Sequence, residues 1–242
     1  MYAEYIDHMG TDLTVVNAAR CSFSAVSTEL SKKDIGLINF LARGCMKSDW
    51  DDALHEAAMF YDVTELEKIL KWAKNMPTHW SPFAHAMITM RETVPIFVAR
   101  QRFKHAVGFA YNEVSRRYVD DTPEFHVPEE WRSRPVGGIK QGSDGVHPAN
   151  DHFRAQYAGF SEAAHALYAS LIEDGVAPEQ ARMVLPQSML TTYWVTGSLY
   201  SWANAYIQRS DPHAQLEIQQ LAKQWNEIIQ PLFPNSWKAL TQ

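Results

Sequence analysis

Ala86-Met87-Ile88-Thr89-Met90-Arg91 leads through Pro95 into Ile96-Phe97-Val98-Ala99-Arg100-Gln101-Arg102-Phe103-Lys104-His105. The first half alternates. Ala86, Ile88 and Met90 fall on one face and Met87, Thr89 and Arg91 on the other, which is the period of a strand. Pro95 has a fixed φ that suits a helix start, and residues 96–105 are predicted to be helical. On that helix Arg100, Lys104 and His105 share one side, at i, i+4 and i+5. Their neighbours Ile96, Phe97, Val98 and Phe103 are apolar, so the helix is expected to be partly buried. The spacing alone leaves two readings open, a solvated basic face or cations aimed at a ligand.

Just downstream, Glu113, Ser115 and Arg117 are spaced by two within Tyr111-Asn112-Glu113-Val114-Ser115-Arg116-Arg117-Tyr118. If extended, the three point to one face, as a grip for phosphate or as an exposed strand face with an ion pair. A second polar segment runs from Ala181-Arg182 to Pro186, and from Gln208-Arg209 through Gln215 to Ile218. Asn204, Gln208 and Arg209 lie close on a predicted helix over 198–209. Tyr193, Trp194, Trp202 and Tyr206 make that region mostly apolar, and a buried guanidinium needs a partner. Two clusters of guanidinium, amide and hydroxyl groups, each set in apolar sequence, point to a pocket for an anionic, ring-bearing ligand. Arginine suits phosphate because its planar fork donates two parallel hydrogen bonds and stays charged.

Further out, residues 1–30 read as a short strand followed by an amphipathic start with Leu13, Val15 and Val16. Residues 33–42 and 45–76 read as helical, the latter from Leu66, Ile69, Leu70 and Trp72-Ala73, with Pro77 closing it. Residues 119–150 are rich in Pro, Gly, Asp and Ser and are expected to form a long irregular excursion. A helix is predicted over 152–173, ended by Asp174-Gly175, and another from Pro178 to Pro186. Asp211 and Pro212 look like an N-cap and first helical position. The helix beyond them puts Ile218, Leu221, Ala222, Trp225 and Ile228/Ile229 on one face.

The 242 residues are 46% hydrophobic and 21% charged, enough for a sizeable core in one large domain. The net charge of −6 argues against a general nucleic-acid binder. Between Arg91 and Tyr118, however, six basic residues face only Glu92 and Glu113, a local surplus of four. Such a local basic site fits a small phosphorylated ligand better than a long polyanion. Cys21 and Cys45 form no metal or disulfide framework, which predicts a reducing compartment. Met1 is not followed by a secretory signal pattern, and no apolar run approaches the roughly 20 residues of a membrane helix. A cytoplasmic protein is expected, in a host cytoplasm if virus-encoded, with no membrane and no nucleic-acid partner. His79 and His85 match no zinc spacing, so structural histidines are the default and no metal is predicted.

At these residues the chain resembles the flavin-dependent thymidylate synthases, the thymidylate synthase-complementing proteins. The family carries an Arg-His-Arg, seven residues, Ser signature within a longer run. Here the run reads Pro95-Ile96-Phe97-Val98-Ala99-Arg100-Gln101 and then Asn112-Glu113-Val114-Ser115-Arg116-Arg117-Tyr118. His79-Trp80-Ser81-Pro82-Phe83-Ala84-His85 matches the family's His-x-Ser/Thr-Pro-Phe-x-His. Ala181-Arg182 to Pro186, Asn204, Arg209 and His213-Ala214-Gln215-x-Glu217-Ile218 follow in register. The chain departs from the pattern at Lys104-His105-Ala106, which stands for Arg-His-Arg with eight residues before Ser115. It departs again at Ser198 and Tyr200, where many relatives have Asn and Arg, and at Ala84, where an acidic residue is common.

The resemblance implies an α+β fold, an antiparallel sheet flanked by long helices with a helical lobe, in one domain over 1–242. It also implies a helical insertion at 45–76 and a homotetramer with shared active sites. The implied reaction is reductive methylation of dUMP to dTMP, with 5,10-methylenetetrahydrofolate as carbon donor, FAD as cofactor and NADPH as reductant. The implied dUMP residues are Gln101, Arg102, Lys104, Glu113, Val114, Ser115, Arg116, Arg117, Arg182 and Arg209. Ser115 and Arg117 would sit on the phosphate, and Arg209 would be catalytic. The implied FAD residues are His79, Ser81, Lys104, His105, Ala106, Val107, Asn112, Glu113, Ser198, Tyr200 and Asn204. The altered Lys104-His105-Ala106 stretch keeps an alternative open, a flavin- or nucleotide-binding relative with weak or no methylation. A nucleic-acid-binding module using the Arg91–Arg117 patch is the reading from another class.

Overall fold

The computed structural model describes residues 1–43, 45, 62–74, 78–136 and 142–242. Its contacts gather into two compact units. Unit 1 comprises Met1–Asp7, Thr89–Gly197 and Asn204–Ile228; unit 2 comprises His8–Ile88, Ser198–Ala203 and Ile229–Gln242. Four strands form one sheet: β1 (Tyr2–Met9), β2 (Met87–Pro95), β3 (Phe109–Glu113) and β6 (Leu190–Ser198), in the order β1-β2-β6-β3. A small hairpin-like pair, β4 (Arg132–Ser133) and β5 (Asp144–Val146), stands apart and is antiparallel.

In unit 1, β2 buries Met90, Glu92 and Val94 on one face, as the alternation predicts. β3 runs antiparallel to β6, with Phe109 opposite Gly197 and Glu113 opposite Tyr193. A Cβ at Gly197 would overlap the Phe109 ring, so glycine is what lets the two strands close here. Threonine pairs bind β2 to β6, Thr89 with Thr196 and Thr93 with Thr192, each at 2.9 Å. The helix α4 (Ile96–Arg102) starts directly from β2 with Pro95 as its N-cap. Its first N–H groups donate to the carbonyls of Met189 and Gln187, which satisfies donors that every helix start leaves open. α4 ends at Arg102, three residues short of the predicted 105.

The long helix α5 (Asn150–Glu173) ends as predicted, with Gly175 at φ +81. A single helical turn, α6 (Pro178–Ala181), runs into a 3₁₀ turn at Arg182–Val184. The helix α8 (Leu216–Leu232) buries Ile218, Leu221, Ala222 and Trp225 completely. It begins at Leu216, not at Pro212. Asp211 instead accepts from the His213 N–H at 2.7 Å and holds a separate turn, because a carboxylate caps whichever donor lies two residues on. Within 119–150, the described residues include the β4–β5 pair and a bridge from Phe125 to Met189, so the excursion is tied to β6's approach.

Unit 2 is built on α1 (Asp12–Arg20), α2 (Lys32–Ala42), α3 (Val63–Lys74), most of the first turns of α7 (Leu199–Arg209), and α9 (Pro234–Thr241). Thr11 with Thr14, and Ser31 with Asp34, close reciprocal capping boxes at the starts of α1 and α2. Asp12 accepts from the Asn235 and Ser236 N–H groups, each at 2.9 Å, so one carboxylate caps α9 from across the core. Val16, Ile38, Phe83, Trp202, Phe233 and Trp237 fill that core. The Trp202 indole donates to the Ile88 carbonyl at 3.1 Å. α3 lies inside the helix predicted over 45–76; the rest of that prediction falls outside the described residues, apart from Cys45 and Asp62.

Candidate active site

The polar core of unit 1 is organised by Glu92, on β2. Its carboxylate pairs with the Arg102 guanidinium at 3.2 Å, both side chains fully buried, and accepts from the Tyr193 hydroxyl at 2.6 Å. Arg102 also donates to the Tyr111 hydroxyl at 2.6 Å, and that hydroxyl donates to the His105 carbonyl at 2.8 Å. The guanidinium lies over the rings of Phe109 and Trp225, 4.4 and 4.8 Å from their centroids. Burial, together with Glu92, raises the Tyr193 hydroxyl far above its ordinary range. Burial pushes Tyr111 up to about 12, a rise that Glu92 adds to and Arg102 opposes. Arg102 is thus enclosed and committed to Glu92.

Beyond Arg102 the chain leaves the helix through Phe103, and His105 N–H returns to the Arg102 carbonyl at 3.1 Å. Arg100, Lys104 and His105 therefore do not share a helical side. Arg100 and Lys104 are exposed, while His105 turns inward, half-buried. Its Nε2 accepts from Arg209 Nε at 2.8 Å, which leaves the ring proton on Nδ1. Burial first, then the charges of Arg209 and Arg102, lower the His105 pKa to about 4, so the ring is neutral near pH 7. Arg209 comes from the last turn of α7; its second contact is to the Gln101 carbonyl at 3.5 Å. Burial and Arg102 lower its pKa, yet a guanidinium remains charged.

Arg209 and Gln101 line a cavity of about 500 Å³ with Arg132, Ser143, His213 and Gln215. A hydrogen-bond relay edges it. Gln101 Nε2 donates to Gln215 Oε1, and Gln215 Nε2 donates to Glu217 Oε2 at 2.9 Å. Glu217 pairs with Arg132 at 2.6 Å, and Arg132 Nε donates to Ser143 at 2.7 Å. Burial pushes the Glu217 carboxyl up, but Arg132, a backbone N–H and Gln215 together outweigh that and hold it below its ordinary value. Gln215 and Glu217 stood in a quoted motif without a role. Arg132 carried no signal, because it lies in the irregular stretch and reaches the site only through folding.

A second cavity of unit 1, about 570 Å³, gathers Glu113, Val114, Ser115, Arg116 and Arg182 beside Thr191 and Thr192 of β6. Thr191 donates to Glu113 at 2.6 Å, and Val114 N–H donates to the Thr192 carbonyl at 2.9 Å. The strand ends at Glu113, and Ser115–Tyr118 form a turn closed by a 3.0 Å bond from Tyr118 N–H to the Ser115 carbonyl. The extended spacing expected for Glu113, Ser115 and Arg117 is therefore not realised. Arg116 enters the cavity, paired with Asp121 at 2.7 Å, whereas Arg117 stays exposed and bonds the hydroxyl of its neighbour Tyr118 at 2.8 Å. The nucleotide set thus divides between two cavities, with Arg182 beside Ser115 and Arg209 beside Gln101.

The expected FAD residues divide between the units. In unit 1, Lys104, Ala106, Val107 and Asn112 are exposed, Val107 at 92%, on the turn before β3 and on β3 itself; Glu113 lies at the strand's end and Asn204 is half-buried on α7. In unit 2, His79 stacks on Phe40 with centroids 5.7 Å apart, and Ser81, itself exposed, opens a 3₁₀ turn whose Pro82 and Phe83 are buried. Tyr200 meets Trp80, the residue before Ser81, at 5.9 Å. Ser198 is buried, its hydroxyl bonded to Ser201 N–H at 3.2 Å and Ser201 Oγ at 2.9 Å as a cap for α7. Trp80, half exposed, is a ring surface that the sequence reading quoted but assigned nothing.

The family model described as thymidylate synthase complementing protein matches residues 4–235. The chain belongs to that family. It is 30% identical over 241 residues to the flavin-dependent thymidylate synthase of Thermus thermophilus, covering all of this chain and 76% of that one. It is 31% identical to that of Thermotoga neapolitana, over 98% of this chain and 89% of the relative. In three dimensions it is similar to the UMP/dUMP methylase PolB from Streptomyces cacaoi bound with 5-Br dUMP. That likeness has a TM-score of 0.75 and 25% identity, over 99% of this chain and 94% of that one. Family membership agrees with the resemblance carried by the separated motifs. Among the described residues no helix is long and apolar enough to cross a membrane.

Proposed function

We propose that this protein is a flavin-dependent thymidylate synthase that converts dUMP to dTMP. The observation that carries the reading is Arg209, a charged guanidinium oriented by a neutral histidine at the edge of a cavity of nucleotide scale. A cation fixed there stabilises negative charge on a uracil ring as its N3 proton is lost, which raises electron density at C5 for attack on the one-carbon unit. Arg116, Arg182 and Ser115 offer two guanidiniums and a hydroxyl for the 5′-phosphate in the other cavity. The curated relatives are named for flavin-dependent synthesis of thymidylate, and PolB holds a brominated dUMP.

The residues fit FAD. Trp80 and Tyr200 present ring faces beside the Ser81 turn, and Lys104 supplies an exposed cation at the turn that carries Val107. Aromatic faces suit a planar ring system, and a lysine suits a diphosphate. Within unit 1 the residues expected to hold the group are Lys104, His105, Ala106, Val107, Asn112 and Asn204; within unit 2, taken by itself, they are His79, Ser81 and Tyr200. When bound, reduced FAD supplies the hydride that completes the methyl group; methylenetetrahydrofolate is the carbon donor and NADPH the reductant. The chain's own residues bind and orient the nucleotide, and Arg209 holds charge at the uracil.

A homotetramer with shared sites is part of the proposal. The split of the nucleotide residues between two cavities of one unit supports it, as does α5, where Phe153, Phe160 and Leu167 repeat every seven residues and are 38%, 55% and 50% exposed. Mixing tests it. Inactive Arg209→Ala subunits and inactive Glu113→Ala subunits should regain dTMP synthesis when exchanged with each other; no recovery after verified exchange contradicts shared sites. Flavin absorbance tests the substrate reading, since dUMP should perturb the bands of the FAD-loaded protein. A flavoprotein that oxidises NADPH without forming dTMP would favour the weakened-relative alternative.

A further inference from the structure

We infer that Glu217 sets the direction of the Gln101 side-chain amide through Gln215, so that Gln101 presents its carbonyl oxygen to a donor group of the bound nucleotide. The inference rests on the nucleotide reading above. An amide offers a donor at one end and an acceptor at the other, and its two orientations have nearly the same shape. What chooses between them is the neighbouring partner, and here the neighbours form a directed relay.

The relay starts at Glu217, 7% exposed, at the second residue of α8 and 2.6 Å from Arg132. Paired with a guanidinium, the carboxylate is ionised and can only accept. Gln215 therefore turns its NH₂ to Glu217, at 2.9 Å; reversed, it would set oxygen against oxygen. That leaves Gln215 Oε1 facing Gln101, so Gln101 must turn its own NH₂ to Gln215, as it does. Two successive amides take their direction from one carboxylate. Gln101 Oε1 is then the acceptor left beside Arg209 in the same cavity. Cation and acceptor stand next to each other, a pattern that reads a carbonyl together with an adjacent N–H or O–H. In dUMP the available donors are the uracil N3–H and the ribose 3′-hydroxyl. Glu217 and Gln215 act as positioning residues, and Arg132 keeps the carboxylate ionised from the 119–150 excursion. That gives the excursion a part in nucleotide recognition that its irregular sequence does not announce.

The test measures binding to the FAD-loaded protein of dUMP, of its 3-deaza analogue (C–H in place of N3–H) and of 2′,3′-dideoxyuridine monophosphate. Wild type is compared with Glu217→Gln, whose amide no longer dictates direction, and with Gln215→Met, which cuts the relay while leaving the Glu217–Arg132 pair. In wild type one analogue should bind about five- to tenfold more weakly than dUMP, the size of one neutral hydrogen bond, and which one it is identifies the donor. In both variants that penalty should shrink to below about twofold. Equal affinity of all three ligands for wild type overturns the inference, and so does a penalty unchanged in the variants. Absence of dUMP binding to wild type contradicts the nucleotide reading itself, an outcome distinct from the other two. Gln215→Met decides the matter if Glu217→Gln does not fold.

Discussion

Arg102 and Arg209 are two guanidiniums of the same unit with opposite surroundings. Arg102 is fully buried, matched by the Glu92 carboxylate and roofed by aromatic rings. Arg209 is half-buried, and the side chain it bonds is a neutral imidazole. The first charge is balanced inside the protein and serves the fold. The second is aimed by His105 but not neutralised by it, which suits the ligand-binding role proposed for it. Exposure and partner, not residue type, separate the structural cation from the one we propose to be catalytic. Burial first, and the Arg102 charge after it, hold the Arg209 pKa below its ordinary value, so the two cations are not independent.

Removing the buried member should have the largest effect. Arg102→Ala leaves Glu92 uncompensated and should cost about 3–5 kcal/mol of stability in chemical denaturation, with loss of fold at ordinary temperature a natural result. Near wild-type stability would break the contrast. Arg209→Ala should do the reverse, lowering dTMP formation about a hundred- to thousandfold while the melting temperature changes little. Activity within a few-fold of wild type would remove its catalytic role.

His105→Gln sharpens the comparison through pH. The folded His105 pKa of about 4 lies below its ordinary 6.5, so the native state resists protonation. The stability tied to the neutral ring is present above pH 6.5 and lost as pH falls toward 4. The variant, which can still accept from Arg209, should show a flatter stability profile across that window. Parallel profiles would mean that His105 is not the group responsible. Smallest of all should be Cys21→Ser and Cys45→Ser, with turnover retained. The flavin route needs no cysteine nucleophile, and burial pushes the Cys45 thiol up to about 11. Loss of turnover in either variant would point to a thiol mechanism.

Much of this was legible in the sequence because it is periodic or local. The alternation from Ala86, the apolar face of Ile218 to Trp225, and the Asp174-Gly175 stop each follow from short-range patterns. The strand Leu190–Ser198 went unread between two predicted helices, although Thr191, Tyr193 and Val195 alternate on its buried face. The site was legible as a set of residues but not as an arrangement. Arg102 looked like its basic neighbours because sequence shows charge and not the carboxylate ten residues earlier that absorbs it. Arg116 and Arg117 differ only in a turn that the two-residue spacing could not reveal. Arg132 joined the site through a relay of long-range bonds, and such bonds have no local signature.

The central claim is tested most directly by incubating the FAD-loaded protein with dUMP, 5,10-methylenetetrahydrofolate and NADPH and following the nucleotide by mass. The account predicts a product 14 Da heavier than dUMP that co-elutes with dTMP and disappears when dUMP, the folate or NADPH is omitted. NADPH oxidation with the nucleotide left at the mass of dUMP would contradict it.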